Sequence, residues 1–389
     1  MASPSVYLDY AASSPVRPEV LAAMQPYFDL EYGNPSSIHA LGQRAEAVIE
    51  HARADVAGVL GCRPEEVIFT SGGSESDNLA LRGTAFAARE QRGASRILTT
   101  PVEHPAILRT AEALARHHGF TLDLLPVDAG GRVDPDEFRR RLSSDVAIAS
   151  VIHANNEIGT LSPVVELARL CREQEIPFHS DAVQSAAHLD LRPLGSSGGM
   201  LLSIGGHKLY GPKGIGVLKR SLESELLPQV TGGGQEHGLR SGTHNVPLIA
   251  GMAAALKLAQ ASRPVDQARH AALRDMLLRR IPGEIPEARV TGHASQRLPN
   301  HTSFAFRGVD GTALVAALDR RGFACSSGSA CKTGDPTPSG VLLALGLTPD
   351  WALGSLRVTV GRDTSADDIG AFLDTLPGVI QALRAAGPG

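Results

Sequence analysis

The chain has 389 residues, 42% of them hydrophobic and 20% charged, with a formal net charge of -4. That length exceeds the roughly 250 to 300 residues at which a single core stops growing, so two domains are expected. A balanced charge with no block of one sign argues against a nucleic-acid or membrane surface, no apolar run nears the ~20 residues that span a bilayer, and the N-terminus lacks a signal-like apolar core, so small-molecule chemistry in the cytoplasm is the expectation.

In chain order, short apolar runs predict strands at 67–70, 96–100, 121–127, 146–152, 177–180, 200–204 and 216–219. Longer amphipathic stretches separate several of them, including 74–87, 105–116 and 164–174. This alternation is the mark of βαβ units and predicts an α/β fold with seven strands in one large, mainly parallel sheet. A helical run at 247–260 leads into a polar helical stretch, and the domain boundary is placed there. Residues 16–260 are expected to form the large domain. Residues 1–15 and 261–389, with strands at 300–306 and 355–360 and a helix at 312–321, form a smaller α+β domain.

Polar groups follow the apolar runs at five strand ends, which a parallel sheet brings to one edge. The segment TSGGSESDN at 70–78 joins a strand to a helix, with Ser74 suited to the N-cap. Gly72 and Gly73 allow an anion to approach the helix N-terminus. No Gly-Lys-Ser/Thr follows, so it is not a P-loop. His104 precedes a helix and offers a flat ring for stacking or proton transfer. Asn156 lies in the loop after 146–152. Asp181 and Gln184 follow the strand at 177–180. A buried carboxylate there wants a cation, either an arginine or a protonated pyridine nitrogen. Lys208, in GGHKLYGPKGIG at 205–216, sits between a buried strand and a glycine-rich turn, where a partly desolvated amine can form a Schiff base.

Four cysteines in so long a chain argue against a disulfide framework. Cys171 reads as a small core residue, Cys62 has no assigned role, and Cys325 with Cys331 lacks the partners of a zinc site. Cys331 ends a run of small residues, SSGSAC at 326–331, that reads as a loop, with Lys332 available to favour its thiolate.

Taken together with LDYAA (8–12), GNPSS (33–37), NNEIG (155–159), GGGQE (232–236), RSGT (240–243) and LRVTVGR (356–362), these motifs resemble those of the cysteine desulfurases. Those enzymes are pyridoxal 5'-phosphate (PLP) proteins of the fold-type I group, related to class V aminotransferases. The resemblance covers nearly the whole chain. It implies that Lys208 holds PLP as a Schiff base, Asp181 pairs with the pyridinium nitrogen, Gln184 bonds the ring oxygen and His104 stacks on the ring. The amide of Gly73, Ser74 and His207 would hold the phosphate, with Thr243 contributed by the second subunit of a homodimer. Asn156 and Arg357, assisted by Asn34, would orient the carboxylate of L-cysteine. Cys331 would take the sulfur as a persulfide, release L-alanine and pass the sulfur to an acceptor, such as an iron-sulfur scaffold protein or the machinery of thio-cofactor or tRNA synthesis. A selenocysteine lyase or class V aminotransferase using the same pocket is the alternative, and a non-catalytic sulfur-relay protein a third reading. Two departures stand out: Gly205 replaces the family's hydroxyl residue three positions before the lysine, and Cys325 is an additional thiol.

Overall fold

The computed structural model describes residues 6–328 and 337–386. Twelve strands occur among them: β1 (Val6–Tyr7), β2 (Val67–Thr70), β3 (Arg96–Thr99), β4 (Thr121–Leu124), β5 (Val146–Ser150), β6 (Phe178–Asp181), β7 (Met200–Gly205), β8 (Gly216–Lys219), β9 (Ala288–Val290), β10 (His301–Phe306), β11 (Phe323–Ala324) and β12 (Ser355–Thr359). Seven form one sheet in the order β2-β8-β7-β6-β5-β3-β4. Only β8 runs against its neighbours. The other six are therefore parallel, and their C-terminal ends share one edge.

The apolar strands of this sheet alternate between two covered faces. Phe69, Leu98, Phe178, Leu202 and Val217 face a core built with helices Ala40–Leu60, Val164–Arg172 and the first half of Val246–Glu284. Ile68, Ile97, Ile148, Leu201 and Leu218 face helices Gly73–Arg92 and Pro105–His118. His179, Asp181 and Ser203 fall on this second face by the same period of two, beneath the first turn of Gly73–Arg92. Strand β4, at the sheet edge, ends at Leu124, shorter than the predicted 121–127, and its side chains are largely exposed or half-buried.

A second core gathers Leu8, Phe304, Phe306, Leu318, Phe323, Leu356, Val358 and Phe372 around the antiparallel sheet β12-β10-β9 and the parallel pair β1-β11. Helix Val246–Glu284 joins the two cores. Its 39 residues bury Ile249, Met252 and Leu256 in the first core and Leu273, Leu277 and Ile281 in the second. Residue 260 lies inside this uninterrupted helix. Among the described residues, no helix is long and apolar enough to cross a membrane.

Candidate active site

The first turn of helix Gly73–Arg92 is built for an anion. Gly72 holds φ at 157°, a conformation open to glycine, and is the N-cap, displacing the Ser74 expected there. Ser74 stands two positions further in and is exposed, and no side chain caps the helix, which leaves its first N–H groups directed outward. Gly73 is packed tightly: a Cβ there would lie 2.6 Å from Val183 Cγ2. Beneath the cradle, Ser71 N–H bonds Glu75, which Arg240 grips at 2.8 and 3.3 Å.

Asp181 ends β6 at 4% exposure, its Oδ1 accepting the Val183 N–H at 2.8 Å. Burial raises this carboxyl, while His104, the Val183 N–H and Lys208 pull the other way. His104 caps helix Pro105–His118, its Nδ1 accepting from Ala106 N at 3.1 Å. Burial holds this imidazole below its usual range against the charge of Asp181. Neutral His104 thus carries its proton on Nε2.

Lys208 follows β7 in a short 3-10 turn, Gly206–Lys208. Its Nζ donates to the carbonyls of Ala11 and Ala12 at 2.5 and 2.6 Å. Gln184 Nε2 donates to the same Ala11 carbonyl at 2.9 Å. His207 is half-buried, and burial with the charges of Lys208 and Lys213 depresses it to about 4, so it acts as a neutral hydrogen-bonding group.

Arg357, on β12, is 4% exposed and reaches the same edge. Its Nη1 donates to the Asn156 carbonyl at 2.9 Å and its Nη2 to Asp9 Oδ1 at 2.8 Å. Its Nε is buried with no hydrogen-bond partner. Ser326 joins this group, pairing with the Arg357 backbone and donating its hydroxyl to Asp9. Glu157, one residue beyond Asn156, accepts from Ser339 Oγ and is pushed up by burial to about 7. The segments before and after residues 329–336 are thus tied down beside Arg357 and Glu157. Cys331 and Lys332 lie outside the described residues.

Lys208, Asp181, His104, Gln184, Gly73, His207, Asn156 and Arg357 therefore belong to elements that end at one sheet edge or pack against it. Asn34 and Thr243 do not join them within the protomer: both are exposed and line a separate cleft of about 350 Å³ with Tyr27, Tyr32 and His244. Cys325 is 7% exposed in the second core, and burial pushes its thiol up to about 12, which makes it an inert packing residue in this conformation. Cys171 is buried in the first core, as expected.

Several polar residues at this edge escaped the sequence reading. The carbonyls of Ala11 and Ala12 have no side-chain signature. Asp9 is the carboxylate that pairs with Arg357. Glu103, next to His104, accepts from Thr100 Oγ1 and Ile152 N and is raised by burial to about 8. Asp77 sits at 1% exposure under the cradle, with polar atoms of Asp77, His104 and Asp181 all within 4.8 Å of one another.

The aminotransferase class-V family profile matches residues 6–372. The cysteine desulfurase IscS of Dictyoglomus turgidum is 42% identical over 383 residues, covering 98% of this chain and 96% of that protein. An IscS-like cysteine desulfurase of Mycobacterium tuberculosis is 41% identical over 384 residues, covering 98% and 97%. Among solved structures, a NifS-like protein superposes with a TM-score of 0.89 at 32% identity, covering 97% of this chain and all of that one. DndA from Streptomyces lividans gives a TM-score of 0.76 at 35% identity, covering 91% and 99%. With this fold, this strand-edge cluster and this similarity along almost its entire length, the chain belongs to the class-V aminotransferase family, among its cysteine desulfurases.

Proposed function

We propose that the protein removes sulfur from L-cysteine with PLP as cofactor, releasing L-alanine. The observation that carries this reading is the convergence of Lys208, the buried carboxylate Asp181 and the uncapped, glycine-lined N-terminus of Gly73–Arg92 on one sheet edge. The residues present fit the cofactor. A phosphate suits the free N–H groups after Gly72 together with the Ser74 hydroxyl and neutral His207, and a cationic ring nitrogen answers Asp181, which otherwise lies buried among groups of no fixed positive charge but Lys208. Gln184 would bond the ring oxygen and His104 would lie against the ring face.

When bound, PLP supplies an electron sink for the electrons left as the substrate Cα loses its proton. Lys208, steered by the carbonyls of Ala11 and Ala12, holds the cofactor and, once released, moves that proton as an amine. Arg357 and Asn156 orient the substrate carboxylate. The Cys331 thiolate attacks the substrate sulfur: the carbon–sulfur bond breaks, a sulfur–sulfur bond forms on Cys331, and Cβ takes a proton as alanine leaves. The persulfide sulfur then passes to an acceptor for iron-sulfur cluster or thio-cofactor and tRNA synthesis, in the cytoplasm.

Residues 16–260 form the cofactor-binding unit, while 1–15 and 261–389 supply Arg357 and Cys331. Two copies associate, so that the exposed Thr243 completes the partner's phosphate site and Asn34 its substrate site. The run of Phe28, Leu30, Tyr32 and Ile38, all more than half exposed beside the Asn34 cleft, supports this pairing. Incubating the protein with L-cysteine and a reductant should release sulfide and alanine in equal amounts, and both Cys331→Ala and Lys208→Ala should abolish release. Turnover preserved in Cys331→Ala, or amino-group transfer to a keto acid, would sink the reading.

A further inference from the structure

Beneath the site, Ser150, His179 and Ser203 lie side by side on β5, β6 and β7. His179 Nδ1 and Nε2 are each 2.9 Å from a serine hydroxyl, Ser150 on one side and Ser203 on the other. Asp77 descends onto this row from the first turns of Gly73–Arg92. Its Oδ1 is 3.6 Å from His179 Nε2, too far for a hydrogen bond, and has no hydrogen-bond partner. The ring nitrogens of His179 are already taken. Two carboxyls, Asp77 and Asp181, are therefore buried within 4.8 Å of each other, and both cannot stay ionised in such a place.

We propose that Asp77 holds the one proton of this carboxyl pair, so that Asp181 alone carries charge at the floor of the site and Asp77 positions it there. The geometry distinguishes the partners. Asp181 accepts a backbone N–H and faces His104 and Lys208, all of which favour its charged form, whereas Asp77 Oδ1 meets no donor. The other titratable groups facing Asp77 are Glu103, His104 and His179. Burial, then the charge of Asp181, raises Asp77 well above the carboxylate range, with Ser203 opposing and Glu103 adding to the rise. His179 is depressed by burial to about 3 and is no counter-cation. The floor thus presents one negative charge instead of two, matched to a single cationic ring. That last match rests on the cofactor reading; the location of the proton does not.

The test is the pH dependence of folding of the full-length protein, as purified and after cofactor removal, compared with Asp77→Asn. An acid protonated when folded and ionised when unfolded loses stability as pH rises above its unfolded value. The folding constant of Asp77→Asn should therefore gain on that of the unaltered protein by about tenfold per pH unit, beginning above about pH 4. Parallel profiles would overturn the proposal. A gap opening only above pH 6.5 would also overturn it, because it places the proton on His179. Should Asp77→Asn fail to fold, infrared spectra of the unaltered protein labelled with carbon-13 at its aspartate carboxyls must show an isotope-shifted carboxylic-acid stretch at pH 7, and its absence would refute the assignment. Asp181→Asn provides the separate control: its pH profile should keep the slope of the unaltered protein, because Asp77 still holds its proton, and a flat profile would place the proton on Asp181 and overturn the proposal; if it binds PLP as tightly as the unaltered protein, the cofactor reading fails while the assignment of the proton stands.

Discussion

Gly205 ends β7 in an ordinary extended conformation, φ -118° and ψ 132°, that any residue can adopt. A Cβ at this position would lie 3.4 Å from Val183 Cγ1 and 3.6 Å from Gly73 N, normal contacts directed at the anion cradle. The glycine is thus not demanded by its backbone, and a hydroxyl fits. Gly205→Ser should fold normally and hold PLP about two- to tenfold more tightly, the worth of one net hydrogen bond; dilution followed by loss of the visible cofactor absorbance measures it. Gly73, by contrast, has no such room, since its Cβ would overlap Val183. At this scale the sequence was legible where a side chain carries the signal: its strand-end motifs pointed to Lys208, Asp181, His104 and Arg357, which the fold gathers at one sheet edge. It was mute where the main chain does it, as at Ala11 and Ala12. Asp77 was overlooked because an acid close behind a helix start reads as a partner for the helix dipole, and only the packing of that helix on β6 and β7 turns it inward.

The loop at 232–244 shows how an element is fixed by one ion pair. Glu236, at 4% exposure and in a left-handed conformation at φ 49°, receives two bonds from Arg53, at 2.8 and 3.0 Å, one from Phe69 N and one from His244. Arg53 also bonds the Val67 carbonyl. The loop that carries Thr243 is thereby anchored to β2 and to helix Ala40–Leu60. Burial would raise Glu236, but the bonds from His244 and Arg53 outweigh it and hold the carboxyl at about 2. A carboxyl lowered on folding stabilises above its unfolded value and loses that contribution as pH falls through its folded one. Thermal melts should therefore show a loss of about 3 kcal/mol between roughly pH 5 and 2 that Glu236→Gln no longer displays. Glu236→Gln should also be less stable at pH 7, because it leaves Arg53 buried without its full counter-charge. The strands were readable from apolar runs because β2, β5, β6, β7 and β8 are buried on both faces. The direction of β8 was not, since a run as short as Gly-Val-Leu-Lys does not reveal its sense, and the turn at 206–215 is what reverses it.

At the scale of the whole molecule, the candidate site draws on both cores, and under the proposed pairing a second copy would complete it. Arg357 comes from the second core, Lys208 and Asp181 from the first, and helix Val246–Glu284 links the two as a strut of about 58 Å. Asn34 and Thr243 open onto a separate cleft beside the apolar run at 28–38. If two copies meet on that face, Ile38→Asp, which places a charge at a side chain 94% exposed in the protomer, should shift the protein to a monomer in sedimentation velocity. The same variant should lose PLP on dilution although it alters no residue of the Lys208 cluster. An unchanged dimer would place the association face elsewhere. Nothing in the local pattern of 28–38 announces an interface, because scattered exposed apolar residues are common, and only their gathering beside the cleft gives them meaning.

Lys208 is steered by the carbonyls of Ala11 and Ala12, and Asp9 of the same short segment grips Arg357 across 348 positions of sequence. Strand β1 likewise waits for β11 before it can pair. A ribosome adding about 5 to 20 residues per second needs roughly 20 to 70 s to travel from one end of that contact to the other. Until the end of that interval Asp9 is without Arg357, and the lysine emerges before the arginine that will stand across from it. The nascent polypeptide cannot assemble a working centre until Arg357 has been made, which makes early cofactor capture on a shorter product a dead end.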